Sequence, residues 1–153
     1  AAGGGFSLAL SGEYILASDK AKFVSAYTAS GLTPDGSSTY FLAKHVGLLR
    51  AKELFLTNRM LSADEAKQWG FVTEVVAHDN LATKANELAI QLASGPTKAY
   101  GGVKRMLLSS FSSPIESQLD NETRHIVGTM DTHDGPHGLN AFLNKERPRF
   151  TGS

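Results

Sequence analysis

The spacing of apolar residues predicts short strands in the first half of the chain and long helices in the second half. Residues 3–11 are typical of a helix that begins with glycines, and the segments "EYILAS" and "AKFVSAY" have the β-branched and aromatic content of short strands. The segment "FVTEVV" predicts one more strand. After position 80, apolar residues recur at helical spacing, which predicts helices over residues 80–94, 96–111, 114–130 and 139–145.

The segment "SGLTPDGSS" has the composition of a turn. Pro34 fixes its own φ angle for a turn, and Asp35 follows it directly. Ser37 or Ser38 can cap the helix that begins in "STYFLAKHVG", and Gly47 is placed to end it. The chain is therefore expected to pass from an extended segment through this turn into a helix.

Two further helices are expected before the strand "FVTEVV". The segment "LLRAKELFLTN" has a helical pattern, and in "SADEAKQWG" the pair Ser62 and Glu65 has the spacing of a capping box. Gly70 is placed to end the second of these helices. Trp69 and Phe71 lie beside that glycine and are interpreted as core residues.

The composition is that of one globular domain without a strong net charge. The chain has 153 residues, of which 41% are hydrophobic and 20% are charged. Its 15 Lys and Arg balance its 15 Asp and Glu, so we expect neither a nucleic acid nor a membrane surface as partner. The absence of cysteine excludes disulfides, thiolate metal sites and a cysteine nucleophile. Without a long apolar run or a signal-peptide pattern, a cytoplasmic location is expected.

Three glycines in the opening segment "AAGGGFSLAL" raise three hypotheses. A dinucleotide-binding fingerprint requires a further glycine three positions after Gly5, where Leu8 stands. A nucleophile elbow would make Ser7 the nucleophile, but the second glycine of that motif is absent. The third hypothesis is a helix N-terminus whose free N–H groups and dipole favour a bound anion. A plain glycine-rich helix entry accounts for the same residues.

Asp35 is the first candidate for acid-base or nucleophilic chemistry. A carboxylate beside a helix start has its charged form favoured, so it is available as a base or a nucleophile. An aspartate between Pro and Gly is also an ordinary turn residue. From local composition alone, the turn is the preferred interpretation.

Near the C-terminus, His133, Asp134 and His137 in "HDGPH" have side chains of the kinds that bind metals. Because only three candidate ligands lie within a turn of Gly and Pro, capping of the last helix is preferred and no metal site is assigned. The three basic residues of "NKERPRF" are expected to form a solvated tail, with a phosphate contact as the alternative.

Three segments together are similar to a known family: "AAGGGFSLAL", residues 21–76 with "TPDGSSTYFLAKHVGLLRAKELFLTNRMLSADEAKQWG", and the terminal "GLNAFLNKERPRF". Over nearly its whole length the chain resembles the crotonase superfamily, the enoyl-CoA hydratase/isomerase family. The resemblance implies an α/β fold, the ββα spiral of crotonase and ClpP, here its C-terminal and mostly helical part with two or three short strands. About a hundred residues that precede the glycines in the family are expected to be missing.

The resemblance also implies the organisation and the partners of the chain. Residues 1–153 form one partial crotonase domain, in which residues 1–78 end the spiral core and carry the active-site turn. Residues 79–153 form a helical oligomerisation region, and a homotrimer or hexamer is expected because members of the family usually form trimers or pairs of trimers. The expected substrate is an acyl-CoA thioester, and no separate cofactor is expected because coenzyme A is part of that substrate.

The resemblance assigns roles to five residues of the chain. Gly4 matches the glycine whose backbone N–H is one of two donors in an oxyanion hole for the thioester carbonyl. Hydratases of the family place their two glutamates where Ser7 and Tyr27 stand, so hydration is not expected. These two residues and Gly5 are assigned to substrate binding. Asp35 matches the working carboxylate of relatives that lack both glutamates, and it is assigned as catalytic together with Gly4.

Two reactions use an aspartate at this turn in the family. In isomerases it moves a proton between carbons while the oxyanion hole holds an enolate. In 4-chlorobenzoyl-CoA dehalogenases it attacks the ring, but those enzymes place a tryptophan where Tyr27 stands. Isomerisation of an enoyl-CoA thioester is therefore the preferred prediction, and dehalogenation with Asp35 as nucleophile is the alternative. A further alternative is an inactive fragment or pseudoenzyme, because half of the oxyanion hole is expected to be missing and the chain alone is expected to be inactive.

Overall fold

The computed structural model describes all 153 residues, which form two compact units, Ala1–Ala85 and Asn86–Ser153. The first unit contains helices α1 (Gly4–Leu10), α2 (Ser38–Val46), α3 (Leu48–Thr57) and α4 (Ala63–Trp69), and strands β1 (Leu16–Ser18), β2 (Lys22–Phe23), β3 (Leu61–Ser62) and β4 (Glu74–Val76). Short 3-10 helices lie at Thr28–Ser30 and His78–Asn80. Helix α5 (Leu81–Ala93) contains the boundary, and the second unit continues with α6 (Thr97–Ser110), α7 (Ile115–Met130) and α8 (Asp134–Leu143).

Helix α1 begins after a backbone turn that favours glycine. Gly3 has φ +50° and ψ −125°. Its N–H donates to the carbonyls of Val24 and Ser25 at 3.3 and 3.1 Å. These bonds, with a parallel bridge between Ala2 and Val24, place the start of α1 beside the segment that follows β2. The predicted helix that begins with glycines is therefore confirmed.

The core of the first unit is built around three aromatic rings. Phe6 of α1, Phe23 of β2 and Phe71 after α4 are at most 5% exposed, and their ring centroids lie between 5.1 and 6.2 Å apart. Tilted pairs at such distances stabilise a fold by about 0.5–1.5 kcal/mol each beyond the burial of their area. Trp69 packs against this core with part of its ring exposed. Because Phe6 is locked in the core, the neighbouring Ser7 is also fixed in place.

The strands form two small sheets of two strands each. β1 and β4 are parallel, with Ala17 opposite Val75, and β2 and β3 are antiparallel, with Phe23 opposite Leu61. The three strands predicted from the sequence are present. β3 was not predicted, so the expected two or three strands are corrected to four, because two residues are too few for an alternating pattern to be visible.

Helix α4 begins at the predicted capping box. The Ser62 hydroxyl accepts the Glu65 N–H at 3.3 Å, and the Glu65 carboxylate accepts the Ser62 N–H at 3.2 Å. A hydrogen bond from Arg59 at 2.9 Å, with those from Ser62, lowers the pKa of the Glu65 carboxyl. Gly70 ends α4 with φ +95° and Gly47 ends α2 with φ +82°, so both predicted helix ends are confirmed.

The second unit consists of helices that pack in chain order, α6 on α7 and α7 on α8. Helix α8 begins at Asp134, earlier than the predicted residue 139. Gly135 and Pro136 lie in its first turn, where backbone N–H groups have no partner within the helix and a proline is tolerated. Their low helix propensity explains why the sequence pattern missed this turn.

Many apolar side chains on the helices of the second unit stay exposed. Those that are more than half exposed are Ile90, Leu107, Leu108, Phe111, Ile115, Leu119, Ile126, Val127, Phe142 and Leu143. The assignment of residues 79–153 to oligomerisation stays a prediction. None of the helices combines the length and the apolar character needed to span a bilayer.

Candidate active site

The first turn of α1 presents a backbone N–H without an acceptor. Gly4 is the first residue of the helix and is exposed, and nothing in the structure accepts its N–H, whereas the Gly5 N–H donates to the Ala2 carbonyl at 3.0 Å. Apart from the neighbouring residues and the backbone of α1 itself, no atom lies within 4 Å of the place where a Cβ on Gly4 or Gly5 would be. The start of α1 therefore faces open space with one free donor, which suits a negatively polarised oxygen.

The turn that carries Asp35 rests on α1. Gly36 has φ +58° and Ser37 has φ +65°, so two consecutive residues have a left-handed backbone. A Cβ on Gly36 would lie 2.9 Å from the Cβ of Ser7, so only glycine fits between this turn and α1. The Asp35 carbonyl accepts the hydroxyl of Ser7 at 3.0 Å and that of Ser38 at 2.8 Å.

Helix α2 begins without the predicted serine cap. Ser37 precedes the helix in a left-handed conformation and makes no capping hydrogen bond. Ser38 is the first helical residue, and both its hydroxyl and its N–H donate back to the Asp35 carbonyl. The expectation that one of these serines caps the helix is therefore wrong, because Ser38 fixes the Asp35 backbone instead.

Tyr27 is positioned by a tight turn that follows the β2 segment. Ala26 has φ +62°, which is rare for a residue with a Cβ, and Tyr27 directly precedes a 3-10 helix. The first residue of that helix, Thr28, donates its hydroxyl to the Phe55 carbonyl at 2.6 Å and accepts from the Asn58 side chain. These bonds anchor the Tyr27 segment on α3.

Ser7, Tyr27 and Asp35 form one hydrogen-bonded network. The Tyr27 hydroxyl donates to Asp35 Oδ1 at 2.6 Å, a length typical of an O–H bond to an ionised carboxylate. The Ser7 Oγ lies 3.0 Å from the Tyr27 hydroxyl oxygen. Ser7 is 2% exposed, whereas Asp35 is exposed and its Oδ2 makes no hydrogen bond. The protein therefore holds one carboxylate oxygen and leaves the other open.

The sequence-predicted site residues all lie on or against α1. Gly4 and Gly5 begin the helix, and Ser7 follows within the next turn and contacts both Tyr27 and Asp35. The roles assigned to these five residues stay predictions. In the structure the hydroxyls of Ser7 and Tyr27 contact other site residues, a relationship that the assignment to substrate binding did not include.

Gly36 and Ser38 belong to the site, and sequence reasoning missed both. The segment "PDGSS" places them beside Asp35, which was the available signal. Gly36 matters because it leaves room for Ser7, and Ser38 matters because it donates to the Asp35 carbonyl, which also accepts from Ser7. Ser7 and Asp35 are 28 residues apart in sequence. Local turn composition contains no information about that distant contact.

The segment "HDGPH" binds the C-terminal tail. Asp134 is 4% exposed, and its carboxylate accepts the N–H groups of Thr151 at 2.9 Å and Gly152 at 2.8 Å. Burial opposes ionisation of this carboxyl, but hydrogen bonds from the tail and from His133 outweigh burial and lower its pKa to about 2. The expected cap from this segment is wrong, since His133 at the N-cap position makes no capping bond, and the Gly135 N–H in the first turn of α8 donates instead to the Thr132 hydroxyl at 3.2 Å. No group of three or more His, Cys, Asp or Glu residues is placed to hold a metal ion.

Comparison with known sequences matches the whole chain to one family. The profile of the family described as enoyl-CoA hydratase/isomerase matches residues 1–153. The chain is 39% identical over 152 residues to 1,2-epoxyphenylacetyl-CoA isomerase of Escherichia coli K12, covering 99% of this chain and 58% of that protein. It is 34% identical over 146 residues to 4-chlorobenzoyl coenzyme A dehalogenase-1 of Arthrobacter sp., covering 95% of this chain and 53% of that protein. The chain therefore spans just over half the length of these relatives.

Comparison with solved structures gives the same result for the fold. An enoyl-CoA hydratase/isomerase from Cupriavidus metallidurans CH34 is similar to this chain with a TM-score of 0.92 and 36% sequence identity. The similarity covers 99% of this chain and 57% of that one. The α/β crotonase fold expected from the sequence is therefore confirmed.

Proposed function

This chain belongs to the enoyl-CoA hydratase/isomerase family, and we propose that it carries part of the active site of an enzyme that isomerises an enoyl-CoA thioester by proton transfer. The observation that carries the proposal is the Asp35 carboxylate, with one oxygen bonded to Tyr27 and the other open. It lies on a turn that rests on α1, whose first N–H, that of Gly4, is free. The names of both quoted relatives contain a CoA thioester, which supports an acyl-CoA substrate.

Gly4 would stabilise the charge that develops on the substrate. When a proton leaves the carbon next to a thioester carbonyl, negative charge moves onto the carbonyl oxygen as an enolate. A preorganised N–H aimed at that oxygen is worth about 3–4 kcal/mol in comparable sites. The free Gly4 N–H at the start of α1, with space around it, supports this role.

Asp35 would move the proton. Its open Oδ2 takes the proton from the α-carbon of a 3-enoyl thioester, and the electrons of the C–H bond delocalise in a dienolate, onto the thioester oxygen on one side and through the C3–C4 double bond onto the γ-carbon on the other. The same carboxyl then returns the proton to the γ-carbon, which moves the double bond from C3 to C2 and restores the carboxylate. Acid-base catalysis of this kind typically contributes about 10²–10⁴-fold to the rate.

Hydration is not proposed for this chain. The positions at which the hydratases that it resembles have glutamates are occupied by Ser7 and Tyr27. Adding water across a double bond requires groups that activate the water and supply the α-proton. The Ser7 hydroxyl is buried, and it and Tyr27 contact other site residues, so neither hydroxyl replaces a carboxylate in that task.

Dehalogenation is the second candidate function. The 34% identity to a 4-chlorobenzoyl coenzyme A dehalogenase supports it. In that reaction Asp35 Oδ2 would form a bond to the ring carbon that carries the halogen, and the halide would leave with the C–halogen bonding electrons. Tyr27 stands where the dehalogenases that the sequence resembles have tryptophan, and this difference favours proton transfer.

The proposal includes the assembly of the protein. We expect a homotrimer or hexamer formed through residues 79–153, and the exposed apolar side chains of α6, α7 and α8 support such contacts. The expected partner is an acyl-CoA thioester without a separate cofactor. A cytoplasmic location stays a prediction.

An activity screen of the protein at its natural full length tests the proposal. With hexenoyl-CoA thioesters, double-bond migration is followed by the absorbance of the conjugated 2-enoyl isomer, which increases from the C3 substrate and decreases from the C2 substrate. With 4-chlorobenzoyl-CoA, halide release is measured. We expect double-bond migration without halide release. Halide release without migration would support the second candidate, and neither reaction with a correctly folded protein would support the pseudoenzyme alternative.

A further inference from the structure

Resting on the proposed function, we propose that Ser7 and Tyr27 are positioning residues for Asp35. They hold the carboxylate in one orientation relative to the Gly4 N–H and leave Oδ2 as the oxygen that meets the substrate. This role differs from binding the acyl group, because it acts through Asp35. It also predicts a different kinetic effect, on turnover instead of substrate affinity.

Tyr27 fixes one end of the carboxylate. Asp35 is exposed, so without a partner its carboxylate would rotate freely and be hydrated at both oxygens. The 2.6 Å bond from Tyr27 engages Oδ1 alone. Tyr27 is itself held by the left-handed Ala26 and by the Thr28 bond to α3, so the donor is rigid. The bond therefore selects which oxygen is free and where it points.

Ser7 joins the Tyr27 hydroxyl to the Asp35 backbone. Its single hydroxyl proton has two acceptors at 3.0 Å, the Tyr27 oxygen and the Asp35 carbonyl, and a more distant third at 3.4 Å, the Gly3 carbonyl of its own helix start. The two nearer acceptors are favoured by distance. The Tyr27 hydroxyl proton is directed to Asp35 Oδ1, so Tyr27 has no proton left to donate to Ser7. Ser7 therefore donates its proton either to the Tyr27 oxygen or to the Asp35 carbonyl, and it packs closely against the other one. Its 2% exposure prevents direct contact with a substrate. Any effect of Ser7 on the reaction is therefore transmitted through Tyr27 and Asp35.

Helix α1 connects this network to the proposed anion donor. Ser7 lies three residues after Gly4, within one turn of the same helix. The helix is fixed by the completely buried Phe6 and Leu10. A Cβ on Gly36 would lie 2.9 Å from the Ser7 Cβ, so the Asp35 turn rests this closely on α1 only because glycine occupies the position. The Gly4 N–H and the Asp35 carboxylate are thereby held in a fixed relation, which efficient proton transfer requires.

Kinetics of the full-length protein with a 3-enoyl-CoA thioester test the inference. We expect Tyr27→Phe to lower kcat about 10- to 100-fold and Ser7→Ala about 10-fold, the scale of one lost hydrogen bond to a charged or a neutral group. KM should stay within about twofold of wild type, because neither change alters uniform substrate binding. A substrate deuterated at the α-carbon should show a larger isotope effect in both variants, because a misplaced base makes proton transfer more rate-limiting.

Two matched variants control for the loss of a hydroxyl elsewhere. Tyr14→Phe removes a tyrosine bond to the carboxylate of Glu74 on the surface. Ser11→Ala removes an exposed serine hydroxyl at the end of α1. Both should keep wild-type kcat, KM and isotope effect. Binding of a saturated acyl-CoA, measured by calorimetry with its stoichiometry, should be unchanged in all four single variants.

The double variant distinguishes one network from two separate contacts. Ser7→Ala combined with Tyr27→Phe should lower kcat by less than the product of the two single effects, because both hydroxyls act on the position of the same Asp35 carboxylate. A rise in KM with unchanged kcat would overturn the inference and support acyl binding. Full activity of both single variants would also overturn it. The proposed function fails separately, if Asp35→Asn retains activity.

Discussion

The hydroxyl of Tyr27 donates a 2.6 Å hydrogen bond to Oδ1 of Asp35, eight residues later in the chain. Left-handed residues, Ala26 before the tyrosine and Gly36 after the aspartate, bend the backbone on either side of this contact. The relative position of the Tyr27 and Asp35 side chains is therefore fixed by the backbone conformation on both sides as well as by the hydrogen bond itself. This arrangement makes the carboxylate the most informative site to change.

Asp35→Asn is expected to abolish most of the activity of the full-length protein. The amide has the shape of the carboxylate but cannot accept the α-proton, so kcat should fall by at least ~100-fold. Asp64→Asn, at an exposed aspartate in the first turn of α4, is the matched control and should retain wild-type kcat. Steady-state kinetics with a 3-enoyl-CoA measure both. Unchanged turnover of Asp35→Asn would remove this residue from the mechanism.

Gly36→Ala is expected to cost more stability than the same change at Gly31. Both glycines have positive φ, +58° and +70°, so each alanine carries a backbone cost of about 1–2 kcal/mol. At Gly36 the new methyl would also lie 2.9 Å from the Ser7 Cβ, whereas it meets open space at Gly31. The clash should add about 1–3 kcal/mol to the loss of unfolding free energy.

Urea unfolding measures this difference, and kinetics of the same two proteins show its consequence. A turn pushed away from α1 misplaces Asp35, so Gly36→Ala should also lower kcat while Gly31→Ala should not. Equal losses of unfolding free energy in the two variants would contradict the close contact between the turn and α1.

Features with a local cause were predictable from the sequence. The capping box at Ser62 and Glu65 lies within four residues, and the helix ends at Gly47 and Gly70 each depend on one residue. Such features can be predicted from a short stretch of sequence, because the residues that satisfy the backbone N–H and C=O groups are close to them in the chain. The same holds for the glycines that begin α1.

Features with a distant cause were not predictable in the same way. Local composition made Asp35 a candidate but favoured an ordinary turn, and only a family resemblance made it the catalytic assignment, since a turn aspartate looks the same with or without Ser7 against it. Asp134 was interpreted as a helix cap, because its partner Thr151 lies 17 residues away in the tail. The strand β3 was missed because its two residues are too few to show an alternating pattern, so that only its pairing with the distant β2 identifies it.

The isolated chain is expected to self-associate. The helices of its second unit expose many apolar side chains, and exposed apolar surface of this kind favours association. Phe142, at 77% exposure, is a suitable test position, and Phe142→Ser should shift the population towards the monomer. Sedimentation velocity over a range of concentrations measures the effect. A monomer at all concentrations with a sharp unfolding transition would contradict the expectation.

Removal of the capping serine is expected to weaken α4. Ser62→Ala loses the hydroxyl that accepts the Glu65 N–H, so the unfolding free energy should fall by about 1 kcal/mol. Ser94→Ala is the control, because that hydroxyl donates only to the Gln91 carbonyl at the exposed end of α5. Urea denaturation measures both variants. Equal effects in the two variants would show that the capping box does not stabilise the helix.

The bond between Asp134 and the C-terminal tail is expected to make stability depend on pH in the acid range. The pKa of this carboxyl is about 2 in the folded chain, against an ordinary 3.8. At a pH between these two pKa values, the unfolded chain therefore binds a proton at Asp134 that the folded chain does not bind. The contribution of the ionised Asp134 carboxylate to the free energy of unfolding is complete above the ordinary pKa and is lost as the pH falls towards the pKa of the folded chain. Urea unfolding from pH 5 to pH 2 should show a steeper loss in wild type than in Asp134→Asn. Asp131→Asn, at a nearby exposed aspartate, should keep the wild-type slope. A wild-type slope in Asp134→Asn would show that the tail contact does not depend on the ionised carboxylate.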